Sequence, residues 1–312
     1  MTKKFFDSPR RRLPQLTRLA QMTVGVAIAL NLGVNPTLAG DPFRTNAPRK
    51  IGDNTEAAFK AVFYNGDYLA AQRYLQQAAS TESDEPLVYA MKASLAYING
   101  DLAGLDNYSR KTLATGQKLL TNDNLRGSIY TAVGHFLEGA VDLTREGTIK
   151  GAPKALSRLR QVYQYLEQAE AISPQDPELN LIKGYMDLML AVSLPFASPD
   201  EAIARLENNA APEYLAVRGI AIAYRDLKQY SQALRYANRA LKVAPGNPEL
   251  YYLKAQILKE QGKQAKSQQL IQDAIANFDK ALTKKSQLPK ELVKQIERER
   301  KSAVNSLNLS SR

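Results

Sequence analysis

Residues 212–262 read PEYLAVRGIAIAYRDLKQYSQALRYANRALKVAPGNPELYYLKAQILKEQG, and their order is helix, turn, helix, stop, repeat. Val217, Ile220 and Tyr224, with small Ala221 between them, fall on one face of a 3.6-residue helix. After a short polar break, Tyr230, Ala233, Leu234, Ala237 and Ala240 make a second face with unusually small residues. Pro245 stops the chain, and Pro248-Glu249-Leu250-Tyr251 starts the pattern again. A helical pair of this length cannot bury its apolar face alone, so it must stack on neighbours of the same kind.

The neighbours are visible as recurring turns. Asp176-Pro177-Glu178-Leu179, Ala211-Pro212-Glu213-Tyr214 and Asn247-Pro248-Glu249-Leu250 start segments 35 and 36 residues apart. Upstream, Asn65-Gly66-Asp67-Tyr68 and Asn99-Gly100-Asp101-Leu102 lie 34 residues apart. This pattern resembles the tetratricopeptide repeat (TPR), whose period is about 34 residues. In that family a small residue sits where the two helices cross, the place of Ala221 and Ala233. Tyr224 matches the first-helix aromatic, Ala240 the late alanine and Pro245 the closing proline. The usual first-helix Trp is replaced by Val217 and the late second-helix aromatic by Ala237. The resemblance implies an all-α, right-handed α-solenoid over residues 53–283, of about five to six units. The phrases DPELNLIKGYMDLMLAV, SLPFASPDEAI and APEYLAVRGIAIAYRDL look like an exported cyanobacterial TPR protein family of unassigned role. That likeness implies a periplasm or thylakoid lumen and brings no activity with it.

The two ends differ from this body. Residues 1–39 run from a basic leader (Lys3, Lys4, Arg10, Arg11, Arg12, Arg18) to an uncharged stretch containing VGVAIAL. Pro36 then precedes Thr37-Leu38-Ala39, with small residues at both cleavage-determining positions, which is the order of an export signal. The apolar stretch is short and diluted by Gln21, Thr23 and Asn31, unlike a membrane span. Residues 40–52 lack periodicity, carry two prolines and read as an extended arm. Residues 284–312 form a basic helix starting at Pro289, with Leu288, Leu292, Ile296 and Ala303 on one stripe. A terminal unit needs a polar outer face, so this helix is expected to cap the array. The net charge of +11 sits largely at these two ends, and the nearly neutral body does not look like a nucleic-acid surface.

Within the body, unit one places Ala57, Ala58, Ala61 and Val62 in its first helix and Tyr68, Ala71, Leu75 and Ala78 in its second. Unit two begins after Pro86, with Asp101 as the N-cap of its second helix. Unit three is expanded: a helix from about 123 to about 144, a loop EGTIKGAP, then a long helix over 154–172. Gly134, Gly139 and Ala140 on the first of these predict close helix packing. Asp176 followed by Pro177 starts unit four, and Ser198-Pro199-Asp200-Glu201 has the form of a capping box.

Catalytic chemistry finds little support in the inventory. There is no cysteine and a single histidine, His135, so thiolate catalysis, disulfides and multi-histidine metal sites are excluded. No phosphate-binding loop is present, and Asp200 and Glu201 are helix-start residues. No catalytic, metal or cofactor-binding residue is assigned, and the chain reads as a non-enzyme. What remains is the concave stripe that first helices line in TPR proteins. By register it carries Tyr185 and Leu188 in unit four, unless these two pack against the neighbouring unit, then Leu215, Arg218, Ile222 and Arg225, then Tyr252, Gln256 and Lys259. Aromatics mixed with arginines are typical of protein-binding hot spots. The expected partner is therefore a protein or peptide, and Arg218 and Arg225 are expected to be exposed and to favour carboxylates. The carboxylate clamp of chaperone-binding TPR proteins is absent, because Ile222 stands where its asparagine belongs. An alternative reading attaches the protein to anionic lipid through the basic C-terminal helix.

Overall fold

A computed structural model describes residues 40–193 and 198–310, with twelve helices and no strand among them. In chain order they are α1 (Asp53–Phe59, extended by a π-helical turn Lys60–Tyr64), α2 (Tyr68–Thr81), α3 (Pro86–Ile98) and α4 (Leu102–Leu119). Next come α5 (Asn124–Ile172), α6 (Pro177–Ser193), α7 (Asp200–Asn208) and α8 (Glu213–Asp226). The last four are α9 (Tyr230–Val243), α10 (Pro248–Ala265), α11 (Gln268–Leu282) and α12 (Lys290–Ser310). Consecutive helices pack on one another along the chain, the pattern of a helical-repeat solenoid. The export signal expected over 1–39 lies outside the described residues.

The starts are set by side chains that satisfy free backbone amides. Asp67, Asp101, Asp123, Asn247 and Ser267 each accept a bond from the first turn of the next helix. Asp176 does the same for α6, accepting from the Leu179 amide at 3.0 Å. At Ser198 the geometry departs from the reciprocal capping box. The Ser198 hydroxyl accepts from the Asp200 amide at 3.2 Å and donates to the Asp200 carboxylate, without involving Glu201.

Small residues let the helices close up. A Cβ on Gly134 would stand 2.6 Å from the Leu113 Cα, and one on Gly116 would stand 2.7 Å from the backbone of Tyr130 and Thr131. Helices α4 and α5 thus meet backbone to backbone. Ala221 and Ala233 are fully buried on α8 and α9, as crossing positions require.

Helix α5 differs from the loop expected at 146–153. The chain reverses at one residue, Gly147, with φ 77° and ψ 169°, a conformation that favours glycine. Helix resumes at once, and Pro153 is accommodated within it. Gly151 lets the two arms touch, since a Cβ there would lie 2.7 Å from the Asp142 carbonyl oxygen.

The array also turns back on itself. Asn247 donates to the Phe63 carbonyl at 2.9 Å, Tyr68 donates to Glu249 at 2.8 Å, and the Tyr64 and Tyr214 rings meet edge to face at 5.7 Å. Gly66, with φ 67°, lies against Pro248, so the turn between α1 and α2 is seated on the start of α10. Unit one thereby meets units five and six, and the buried apolar residues form one continuous cluster from Phe43 to Ala303. The arm, residues 40–52, is held against this cluster by Phe43, which packs edge-on against Phe59, and by buried Ile51.

Candidate functional site

Helix α8 begins the inner stripe. Leu215 is fully buried and its carbonyl accepts from the Tyr185 hydroxyl at 2.7 Å. The Tyr185 ring lies on Gly219, where a Cβ would come within 2.6 Å of Cζ. Tyr185, Leu188 and Leu215 are therefore core residues that join α6 to α8, not part of an open face. This part of the stripe is covered by the stacking of α6 on α8, Tyr185 lying against Leu215 and Gly219.

About one and three turns further on, the arginines are also engaged. Arg218 donates to Glu249 Oε2 at 2.7 Å, while Glu249 Oε1 accepts from Tyr68. Burial alone would lower the Arg218 pKa, but Glu249 outweighs it and holds the guanidinium charged. Arg225 donates to Gln256 Oε1 at 2.7 Å and to Asp226 Oδ1 at 3.0 Å. The exposed arginine pair expected from the register is instead half-buried, each side chain 11% exposed and engaged by internal partners.

On α10 the stripe meets the C-terminal helix. Helix α12 packs on α10 and α11 as the first helix of a further unit would, and its Ile296 and Ala303 are buried. Glu299 turns inward, accepting from Tyr252 at 2.7 Å, from Gln256 at 3.1 and 3.2 Å and from Lys259 at 3.4 Å. Burial would push its carboxyl up, but Lys259 and the hydrogen bonds hold it below the usual range. Tyr252 is correspondingly pushed up by burial and by Glu299.

These elements enclose a half-open central cavity of about 430 Å³. Arg218, Ile222, Arg225, Tyr252 and Gln256 all line it, so five of the nine stripe residues meet at one place. Tyr68, the α3–α4 turn (Tyr97 to Leu105) and α12 (Glu291, Leu292, Gln295, Arg298) supply the remaining walls. Register could not reveal those walls, because they come from units one and two and from the C-terminal helix rather than from the stripe itself. Arg298 is exposed at the rim. Tyr97 also borders a second, almost wholly apolar cleft of about 270 Å³. That cleft lies between the arms of α5 and the end of α6, where Gly139, Ala140, Ala152 and Ala155 are too small to fill the space.

Away from the cavity, a cluster of charged side chains ties the arm to units two to four. Arg44 donates to both Asp176 oxygens at 2.8 Å, to Asp41 at 2.8 Å and to Glu178 at 2.9 Å. Arg126 makes a bidentate pair with Glu85 at 3.0 and 2.8 Å, and Tyr130 donates to Glu178 at 2.7 Å. Burial pushes Glu178 up, yet Arg126 and Arg44 hold it below the usual range. Asp176, buried beside Glu178, is raised despite Arg44. Every group here faces a structural partner. His135 is likewise buried, stacked on Tyr165 at 5.7 Å with the Glu138 carboxylate 3.8 Å from Nδ1. No group of three or more His, Cys, Asp or Glu residues is arranged to hold a metal ion among the described residues.

The family model for the tetratricopeptide repeat matches residues 216–257, which span most of α8, all of α9 and the first half of α10. No curated protein and no solved structure matches the chain.

Proposed function

We propose that this chain, which carries a tetratricopeptide repeat over residues 216–257, is an exported interaction scaffold that holds a segment of a partner protein in its central cavity. Repeats of this family generally mediate protein–protein contacts. The observation that carries the finer reading is the convergence of Arg218, Ile222, Arg225, Tyr252 and Gln256 on one cavity. Its volume falls within the range of ligand sites, roughly 300–1,000 Å³. A whole helix, about 10–12 Å across with side chains, would need a wider groove. The partner element is therefore an extended chain end or a single protruding apolar side chain, seated on Ile222 and Leu292. Arg298 at the rim favours a carboxylate on that segment. The periplasm or the thylakoid lumen is the proposed location, and assembly of envelope or photosynthetic complexes is the kind of work such a scaffold would do. Attachment to anionic lipid through α12 is the weaker reading, because the inner face of that helix is occupied by Tyr252, Gln256 and Lys259.

The test is capture from the native compartment with the wild-type chain, Arg298→Glu and Arg73→Glu as baits. Arg298 lines the cavity, whereas Arg73 is exposed on α2. The expected result is a specific partner lost with Arg298→Glu and retained with Arg73→Glu. Equal retention by both variants would refute the cavity as the binding place.

A further inference from the structure

We infer that the chain is hydrolysed between Ala39 and Gly40 and that the α-ammonium group released on Gly40 is held by the Glu56 carboxylate. The inference rests on the proposed export and adds where the new chain end sits. Gly40 N lies 3.2 Å from Glu56 Oε2, on the first turns of α1. The position of Gly40 is fixed by the residues directly after it. Asp41 is buried and accepts from the Phe43 amide at 2.8 Å, the Arg49 amide at 3.1 Å and the Arg44 guanidinium at 2.8 Å. Phe43 is buried against Phe59, and Arg44 is locked onto Asp176 and Glu178. Asp41, the second residue after the bond that the Thr37-Leu38-Ala39 sequence marks for cleavage, is thus already buried and anchored.

In the reaction, water adds across the Ala39–Gly40 amide and the carbon–nitrogen bond breaks. Ala39 keeps the hydroxyl oxygen as a carboxylate, and Gly40 nitrogen takes up the protons to become an ammonium group. An export peptidase of the host supplies the catalysis. Before the cut, the Gly40 amide offers Glu56 one neutral hydrogen bond. Afterwards the same atom offers a full positive charge, and charge-assisted bonds are roughly twice as strong as neutral ones. Lys60 already pairs with the other Glu56 oxygen, so the carboxylate bridges two cations and ties the chain end to α1.

The experiment begins with the full-length gene expressed in an exporting bacterium, then N-terminal sequencing and intact mass of the exported protein. The mature chain is expected to begin at Gly40. A chain that retains residues 1–39, or begins well inside the arm, overturns both the export reading and this inference. On mature protein starting at Gly40, the α-amine is then tagged with carbon-13 methyl groups and titrated by NMR. Wild type is expected to titrate at least about half a unit above Glu56→Gln, the direction a cation takes beside a carboxylate. Lys60→Met removes the competing cation and is expected to enlarge the shift. If wild type, Glu56→Gln and Lys60→Met titrate alike, cleavage stands but the pairing is wrong.

Discussion

Tyr68 and Glu249 are joined by a 2.8 Å hydrogen bond across 181 residues of sequence, and this bond helps close the array. Glu249 belongs to the first turn of α10, and its other oxygen accepts from Arg218 on α8. Tyr68→Phe leaves Glu249 Oε1 buried without its donor, a loss of about 1–3 kcal/mol. Urea unfolding is expected to show a lower midpoint at unchanged slope. An unchanged midpoint would mean that unit one does not bear on α10 in solution.

Arg218→Ala is predicted to be far more damaging than an exposed substitution. It strands Glu249 in a buried site with only the tyrosine hydroxyl as partner, and breaking a buried pair costs about 3–5 kcal/mol. Thermal unfolding of the single variant checks this. A shift no larger than that of a surface arginine would place Arg218 outside the closed interior.

Much of the fold was legible because repetition leaves marks in sequence. The helix pairs announced themselves by apolar period, by Pro at starts and stops, and by Ala221 and Ala233 at crossings. The stripe residues Arg218, Ile222, Arg225, Tyr252 and Gln256 came out of register alone and do share one cavity. Closure was not legible, because the bonds from Asn247 to Phe63 and from Tyr68 to Glu249 have no periodic signature. Register also reads Tyr185 and Leu215 as a surface stripe, whereas the stacking of α6 on α8 makes them core. The reversal at Gly147 was hidden for a different reason. A whole Gly-bearing segment reads as loop, while one residue with positive φ was enough.

The glycines divide into two kinds with opposite outcomes. Gly219→Ala drives a methyl to within 2.6 Å of the Tyr185 ring, and overpacking of this sort costs about 1–3 kcal/mol. At Gly139 the nearest atom to a new Cβ is 3.5 Å away, an ordinary contact, so Gly139→Ala should stabilise by up to about 1 kcal/mol through helix propensity. Paired denaturation curves test the contrast. Equal effects at both sites would contradict the packing of α6 on α8.

Glu299 predicts how α12 responds to acid. Its folded pKa lies below the ordinary 4.5, so the stability it contributes is complete above 4.5 and disappears as the pH falls through the lowered value. Hydrogen exchange in α12 is expected to accelerate more than in α9 as the medium is acidified below 4.5. Glu299→Gln should remove most of that difference, and identical profiles for wild type and variant would show that the carboxylate does not hold the helix.

The most direct measurement of the central claim is site-specific photo-crosslinking in the native compartment, with a photoreactive residue at Leu292 or at Leu69. Leu292 lines the cavity on α12, whereas Leu69 is 58 % exposed and is not among the residues lining it. The account predicts a discrete adduct with one partner protein from Leu292 and none from Leu69, the crosslink mapping to an extended segment of the partner. Adducts of the same protein from both positions, or a crosslink from Leu69 alone, would contradict binding in the cavity.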